Sequence, residues 1–251
     1  MQEFKSDGVE IAYIDEGEGP PTLLIHGFAS NLTMNWMATG WVKTLKEAGR
    51  RVIAFDNRGH GKSEKLYELD AYGAPLMAQD ARRLLDHLKI TAASVIGYSM
   101  GARIAAFLAL NHPQRVKAAV FGGLGINMVR GMAGTRPIAH ALEVPALEDV
   151  KNPAARTFRA FAEQTGSDLR ALAACIRSSR DPITKEDLAR LEIPVLVAVG
   201  ERDVIGGSAV ELAKLIPNAQ VFEIRNKDHM KAVADQGFKK AVLEFLEKNK
   251  V

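Results

Sequence analysis

Apolar residues along this chain fall into short runs whose period switches between that of a strand and that of a helix. Residues 9–14 alternate after a Ser6-Asp7-Gly8 turn, which predicts a hairpin at the start of the chain. Residues 22–25 form a short continuous apolar run ending at His26-Gly27, and residues 51–55, 93–96 and 116–121 repeat that form. Between these runs, residues 36–48, 76–88 and 100–110 carry apolar positions at helical spacing, with Leu84, Leu85 and Leu88 on one face. Near-continuous apolar strands separated by helices predict an α/β architecture, a mostly parallel central sheet flanked on both faces.

The rhythm breaks after Gly122. Up to about Leu191 the chain is punctuated by Gly125, Gly131, Gly134, Pro137, Pro145 and Pro153, with helical spacing only over 154–164 and 168–177. It resumes with strands over 195–199 and 221–224, an apolar segment over 210–215 and an amphipathic helix over 238–248. This predicts a core built from residues 1–122 and 192–251, with 123–191 inserted between two strands as a helical unit.

Composition narrows the class without changing the picture. A chain of 251 residues with 47% hydrophobic and 25% charged residues is an ordinary globular composition, which excludes intrinsic disorder and collagen-like structure. One cysteine excludes an internal disulfide and fits a reducing compartment. The 33 basic and 30 acidic residues leave a net charge of +3, dispersed without a block of like charges, so no nucleic-acid partner is expected. The apolar runs fall well short of the ~18 residues of a membrane span, and residues 1–8 lack the apolar stretch of a secretory signal. A cytoplasmic protein that does not engage membranes is the expectation.

Candidate chemistry centres on Gly97-Tyr98-Ser99-Met100-Gly101. This G-x-S-x-G follows an apolar strand and opens a helix, the context a nucleophile elbow needs. The glycines permit the tight turn that lifts Ser99 Oγ above the sheet edge, and the helix amino terminus behind it favours developing negative charge. His26-Gly27-Phe28 ends an earlier strand, and its turn can set the Phe28 amide opposite that of Met100 as an oxyanion hole. His26 itself is expected to anchor loops rather than to act as a base.

With these residues the chain resembles the α/β-hydrolase superfamily over nearly its whole length. The motifs fall in the same order: His26-Gly27-Phe28, residues 56–63 matching D-x-R-G-x-G-x-S, the elbow at 97–101, and residues 200–203 matching G-x-x-D. The likeness is greatest to capped esterases, enol-lactonases and carbon–carbon bond hydrolases, and it puts residues 123–191 at the usual cap position. It implies the α/β-hydrolase fold and a triad in the chain order Ser, Asp, His. Carried onto this sequence, the acid is Asp203, at the carboxyl end of the strand over 195–199, with Glu201 as a competitor. The base is His229, after the strand over 221–224. Superfamily members that open epoxides or displace halide use aspartate at the elbow, whereas this chain has serine. One departure is Asp228, where the family commonly has glycine before the histidine.

Other features are read as incidental. Gly61-Lys62-Ser63 resembles the end of a phosphate-binding loop, but Asp56 stands where its first glycine belongs. Asn31-Leu32-Thr33 fits a glycosylation acceptor that has no secretory context here, and no His/Cys/Asp cluster has metal-ligand spacing. Neither a metal nor a cofactor is expected. Cys175 is expected to be a packed structural thiol. Met128, Met132, Phe158 and Phe161 either line an apolar substrate pocket or form the insertion's own core. The expected function is a serine hydrolase acting on a small ester or lactone. The same triad would also serve carbon–carbon bond hydrolysis, thioester hydrolysis or acyl transfer, and a slow-turnover ligand sensor of the same fold is the reading from another class. Oligomeric state cannot be read from the pattern.

Overall fold

The opening hairpin forms: β1 (Gln2–Ser6) and β2 (Val9–Glu16) pair antiparallel across Asp7-Gly8. In this computed structural model, which describes residues 1–131, 134–178 and 182–251, β2 then pairs antiparallel with β4 (Arg51–Phe55). The remaining neighbours, β3 (Pro21–Ile25), β5 (Ala93–Tyr98), β6 (Val116–Gly122), β7 (Val195–Gly200) and β8 (Ala219–Ile224), are all parallel. The order across the sheet is β1-β2-β4-β3-β5-β6-β7-β8.

Alternation along each strand divides the core into two layers. Leu23, Ile25, Ile53, Phe55, Val95 and Phe121 face α2 (Ala74–His87) and α3 (Met100–Asn111), whose inward residues include Met77, Leu84, Leu85, Ile104 and Leu108. Leu24, Val52, Ala54, Ile96 and Val120 point the other way, towards Trp41 on α1 (Trp41–Glu47) and Phe238, Val242 and Leu246 on the carboxyl-terminal helix (Gln236–Lys248). β5 is buried along its whole length, which is why it reads as an unbroken apolar run.

The single helix expected over 36–48 is two pieces. Residues Thr33–Met37 make a π-helical turn, and α1 begins only at Trp41. Gly40 between them sits at φ 83°, a left-handed conformation open to glycine, and the Thr39 hydroxyl donates to the Asn35 carbonyl at 2.6 Å. Between β6 and β7 the chain forms α4 (Asn127–Arg130), α5 (Thr135–Glu143), α6 (Pro153–Gln164), α7 (Leu169–Arg177) and α8 (Lys185–Ala189), with no strand among the described residues. α5 escapes the sequence pattern because Pro137 looks like a breaker. It stands in the first turn, where its missing N–H costs no helical bond. The apolar segment over 210–215 becomes α9 (Ala209–Ala213), followed after β8 by α10 (His229–Ala232) and α11, the carboxyl-terminal helix. Among the described residues no helix is long and apolar enough to cross a membrane.

One buried ion pair ties the sheet edge to its helical cover. Arg58 grips Asp80 of α2 with two bonds of 2.7 Å, and Ser6 of β1 donates to the same carboxylate at 2.5 Å. Both charged side chains are almost wholly buried. Asp80→Ala would leave the Arg58 guanidinium uncompensated inside the protein. The expected loss is about 3–5 kcal/mol in urea unfolding, against a smaller one for Asp80→Asn, which keeps hydrogen-bonding atoms in place.

Candidate active site

β5 passes into α3 through Ser99, which is held at φ 54° and ψ −114°. Non-glycine residues seldom adopt a positive φ, and such strain persists only where the surroundings enforce it. Here the surroundings are backbone. A β-carbon at Gly101 would overlap the carbonyl of Ile25 on β3, and one at Gly97 would overlap the carbonyl of Gly101. Glycine at both positions lets α3 press against the strands, and Ser99 takes the strain of the turn. Its N–H donates to the Gly122 carbonyl at 2.8 Å, fixing the turn to β6.

The loops after β7 and β8 bring two further side chains to the same edge. His229 Nε2 lies 3.0 Å from Ser99 Oγ, and its Nδ1 lies 2.7 Å from Asp203 Oδ2. The other carboxylate oxygen of Asp203 accepts from the amides of Ile205 and Gly206 at 2.9 and 2.8 Å, leaving Oδ2 for the imidazole. With Nδ1–H directed at Asp203, the lone pair on Nε2 faces the serine hydroxyl. Asp203 and His229 are buried, while Ser99 is partly open. Glu201, the competing acid, is exposed and accepts instead from the Asn226 amide.

His229 is the first residue of α10, and Asp228 is its cap. Asp228 Oδ1 accepts from the amides of Met230 and Lys231 at 3.1 and 2.9 Å, and the Lys231 amide is the main cause of the lowering of its carboxyl pKa. The residue that breaks the family pattern therefore stabilises the start of the short helix carrying the histidine. Tyr98, the variable position of the elbow, also supports His229. Its hydroxyl donates to the His229 carbonyl at 2.5 Å, and burial pushes its own ionisation well above the usual tyrosine range. Nothing in the motif marks Tyr98 out, because its role depends on a histidine 131 positions away.

The amides of Phe28 and Met100 flank the serine turn, and neither has a hydrogen-bond partner among the described residues. The Phe28 loop is anchored from several sides. Ala29 takes φ 59° and its carbonyl accepts from the Thr165 hydroxyl at 2.9 Å. The Phe28 ring packs between His60 and Phe158, at centroid distances of 5.8 and 6.2 Å. Beneath it, His26 donates from Nδ1 to the Gly27 carbonyl and accepts at Nε2 from the Asn57 amide, at 2.8 and 2.9 Å. Burial lowers the His26 pKa to about 4 and that of His60 to about 3, so both rings are neutral at physiological pH. They act as anchors.

The loop resembling a phosphate-binding turn folds around a carboxylate. Asp56 accepts from the amides of Leu32 and Lys62, both at 2.7 Å, and a β-carbon at Gly61 would overlap it. A phosphate group finds a negative charge where a cradle would need amides.

One cavity opens at the serine and a second adjoins it. The inner one, about 200 Å³, is lined by Ser99, His229, Phe28, Met34, Asn35 and Val233 among others. The outer one, about 420 Å³, is lined by α5, α6 and the segment after Asp203. Phe158, Phe161 and Met230 line both. Met128 instead is completely buried in the main core and lines neither, because α4 packs its side chain inward. Met132 lies outside the described residues. Cys175 is buried on α7.

A family model for the alpha/beta hydrolase fold matches residues 20–135. A non-heme chloroperoxidase of Kitasatospora aureofaciens is 27% identical across 96% of this chain and 98% of its own. The solved structure of an N-acyl homoserine lactone degrading enzyme superposes with a TM-score of 0.75 at 26% identity, covering 97% of this chain and all of the other. The chain has the α/β-hydrolase fold. A bifunctional epoxide hydrolase of Sus scrofa is similar to this chain only in part: 31% identity across 44% of this chain and 20% of that protein.

The buried histidines make a testable demand on stability. Below pH 6.5 the unfolded chain binds protons that folded His26 and His60 refuse, so their contribution is full above that pH and is lost as pH falls towards 4. For His26 alone the loss is on the order of 3 kcal/mol. Urea unfolding between pH 7 and pH 4 should show this decline, with a shallower slope for His60→Phe. Equal slopes in both proteins would mean that folded His60 takes up its proton normally.

Proposed function

We propose that this α/β hydrolase is a serine hydrolase that cleaves a small-molecule carboxylic ester or lactone through an acyl-enzyme on Ser99. The observation that carries the reading is the unbroken hydrogen-bond chain Ser99–His229–Asp203, mounted on a strained turn with two unpartnered amides beside it. Ser99 Oγ attacks the substrate carbonyl while its proton passes to His229 Nε2. Asp203 Oδ2 holds the imidazole in orientation and offsets the charge it gains. The carbonyl oxygen, now anionic, accepts from the Phe28 and Met100 amides, which need no reorganisation to receive it. His229 then protonates the departing alcohol, and a water activated by the same nitrogen releases the acid. Residues 123–191 form a cap over this edge of the core, with Phe158 and Phe161 of α6 on the substrate's path.

Transfer of the acyl group to peroxide in place of water is a second reading, favoured by the end-to-end similarity to a non-heme chloroperoxidase. It uses the same acyl-enzyme and differs only in the nucleophile of the second step.

With a short p-nitrophenyl ester as substrate, Ser99→Ala should lower kcat by on the order of 10⁶-fold, because the three groups work as a unit. His229→Ala should fall by a comparable factor, and Asp203→Ala by less. A Ser99→Ala protein that hydrolyses the ester at the wild-type rate would remove the proposal.

A further inference from the structure

Both cavities share a property that constrains the substrate: among their described lining residues there is no Asp, Glu, Lys or Arg. We infer that the substrate is an uncharged ester or lactone with one small arm and one large apolar arm, and that the large arm lodges in the outer chamber beneath α5 and α6. The inference rests on the reading of Ser99 as the nucleophile and adds to it the class of molecule cleaved.

The outer chamber has little to offer a polar group. Three polar side chains line it, and each is already engaged with main chain. Asn127 Nδ2 donates to the Ile205 carbonyl at 2.9 Å, Asn152 Oδ1 accepts from the Ala155 amide at 3.0 Å, and the Thr157 hydroxyl donates to the Pro153 carbonyl at 3.1 Å. The remaining side chains on its wall are aliphatic, aromatic or thioether, Ile138, Ala154 and Val204 among them. A carboxylate or ammonium group placed against this wall meets no opposite charge among the described residues, so it gains little for the hydration it gives up. An alkyl or aryl arm instead leaves water for a surface already apolar, at about a fourfold gain per methylene.

The proportions of the two spaces point the same way. The inner chamber, lined by Ser99, Phe28 and His229, has about half the volume of the outer, roughly 200 against 420 Å³. Because Phe158, Phe161 and Met230 border both, the two chambers adjoin, and a substrate seated at Ser99 can extend from one into the other. A size of several hundred Å³ is that of a site for a drug-sized ligand, larger than an acetyl or methyl group requires.

Two ester series test this with purified enzyme. One lengthens the acyl chain from acetate to hexanoate on a fixed alcohol, and the other lengthens the alcohol on a fixed acetate. Each is repeated with a terminal carboxylate on the longest member. In at least one series kcat/KM should rise about threefold to fourfold per methylene until the chamber fills, and the carboxylate-bearing member should be at least a hundredfold poorer than its neutral counterpart. Ala154→Glu adds a charge to the chamber wall at an exposed position in the first turn of α6, where an acidic residue suits the helix. It should cut the preference for the long ester over acetate at least tenfold, with a melting temperature showing that the protein folds. Flat profiles in both series, or a carboxylate-bearing ester cleaved as fast as the neutral one, would overturn the inference if Ser99→Ala abolishes those activities. Activity that survives Ser99→Ala would overturn the reading of Ser99 beneath it.

Discussion

Between α3 and the strands beneath it there is no room for a methyl group at either glycine of the elbow. Gly101 lies against the carbonyl of Ile25, and Gly97 against the carbonyl of Gly101. That close approach turns the chain sharply from β5 into α3 and forces Ser99 into a conformation that a serine would not otherwise keep. The rest of the site depends on it. With Ser99 raised above the carboxyl ends of the strands, the loops following β7 and β8 need only deliver Asp203 and His229 to the same edge. The first amide of α3, that of Met100, is left without a hydrogen-bond partner among the described residues.

Holding this arrangement takes a polar framework that carries no chemistry of its own. His26 and Asn57 lock the loop after β3 to the loop after β4, and Asp56 closes the latter on itself. The Phe28 segment is gripped from above by Thr165 and Phe158, so the loop after β3 and helix α6 are fixed against each other. His26 and Asp56 are buried with both of their polar side-chain atoms paired, and removing one partner is therefore costlier than its net contribution suggests. Rigidity of this kind suits a site whose donors must be in place before charge develops.

Much of this could be read from residue order because it depends on local pattern. The continuous apolar runs fall on β3 to β7, the glycine-serine-glycine spacing marks the turn, and the break after Gly122 marks the stretch between β6 and β7 that holds helices and no strand among its described residues. What escaped the reading depends on contacts between distant positions. The hydroxyl of Tyr98 finds its acceptor far along the chain at His229, so its role leaves no trace near the elbow. α5 is hidden by a proline that is harmless in a first turn, and helical periodicity over 36–48 runs through Gly40 because it ignores a single left-handed residue. Met128 and Phe158 look alike as apolar residues, yet only the packing of α4 and α6 sends one into the core and the other to the cavities.

The central claim is that Ser99 becomes covalently acylated. Its most direct test is intact-protein and peptide mass spectrometry after treatment of the native enzyme with a fluorophosphonate. One adduct per chain is expected, located on the peptide containing Ser99 and absent when the protein is unfolded before treatment. No adduct on the native enzyme, or an adduct on another residue with Ser99 unmodified, would contradict it.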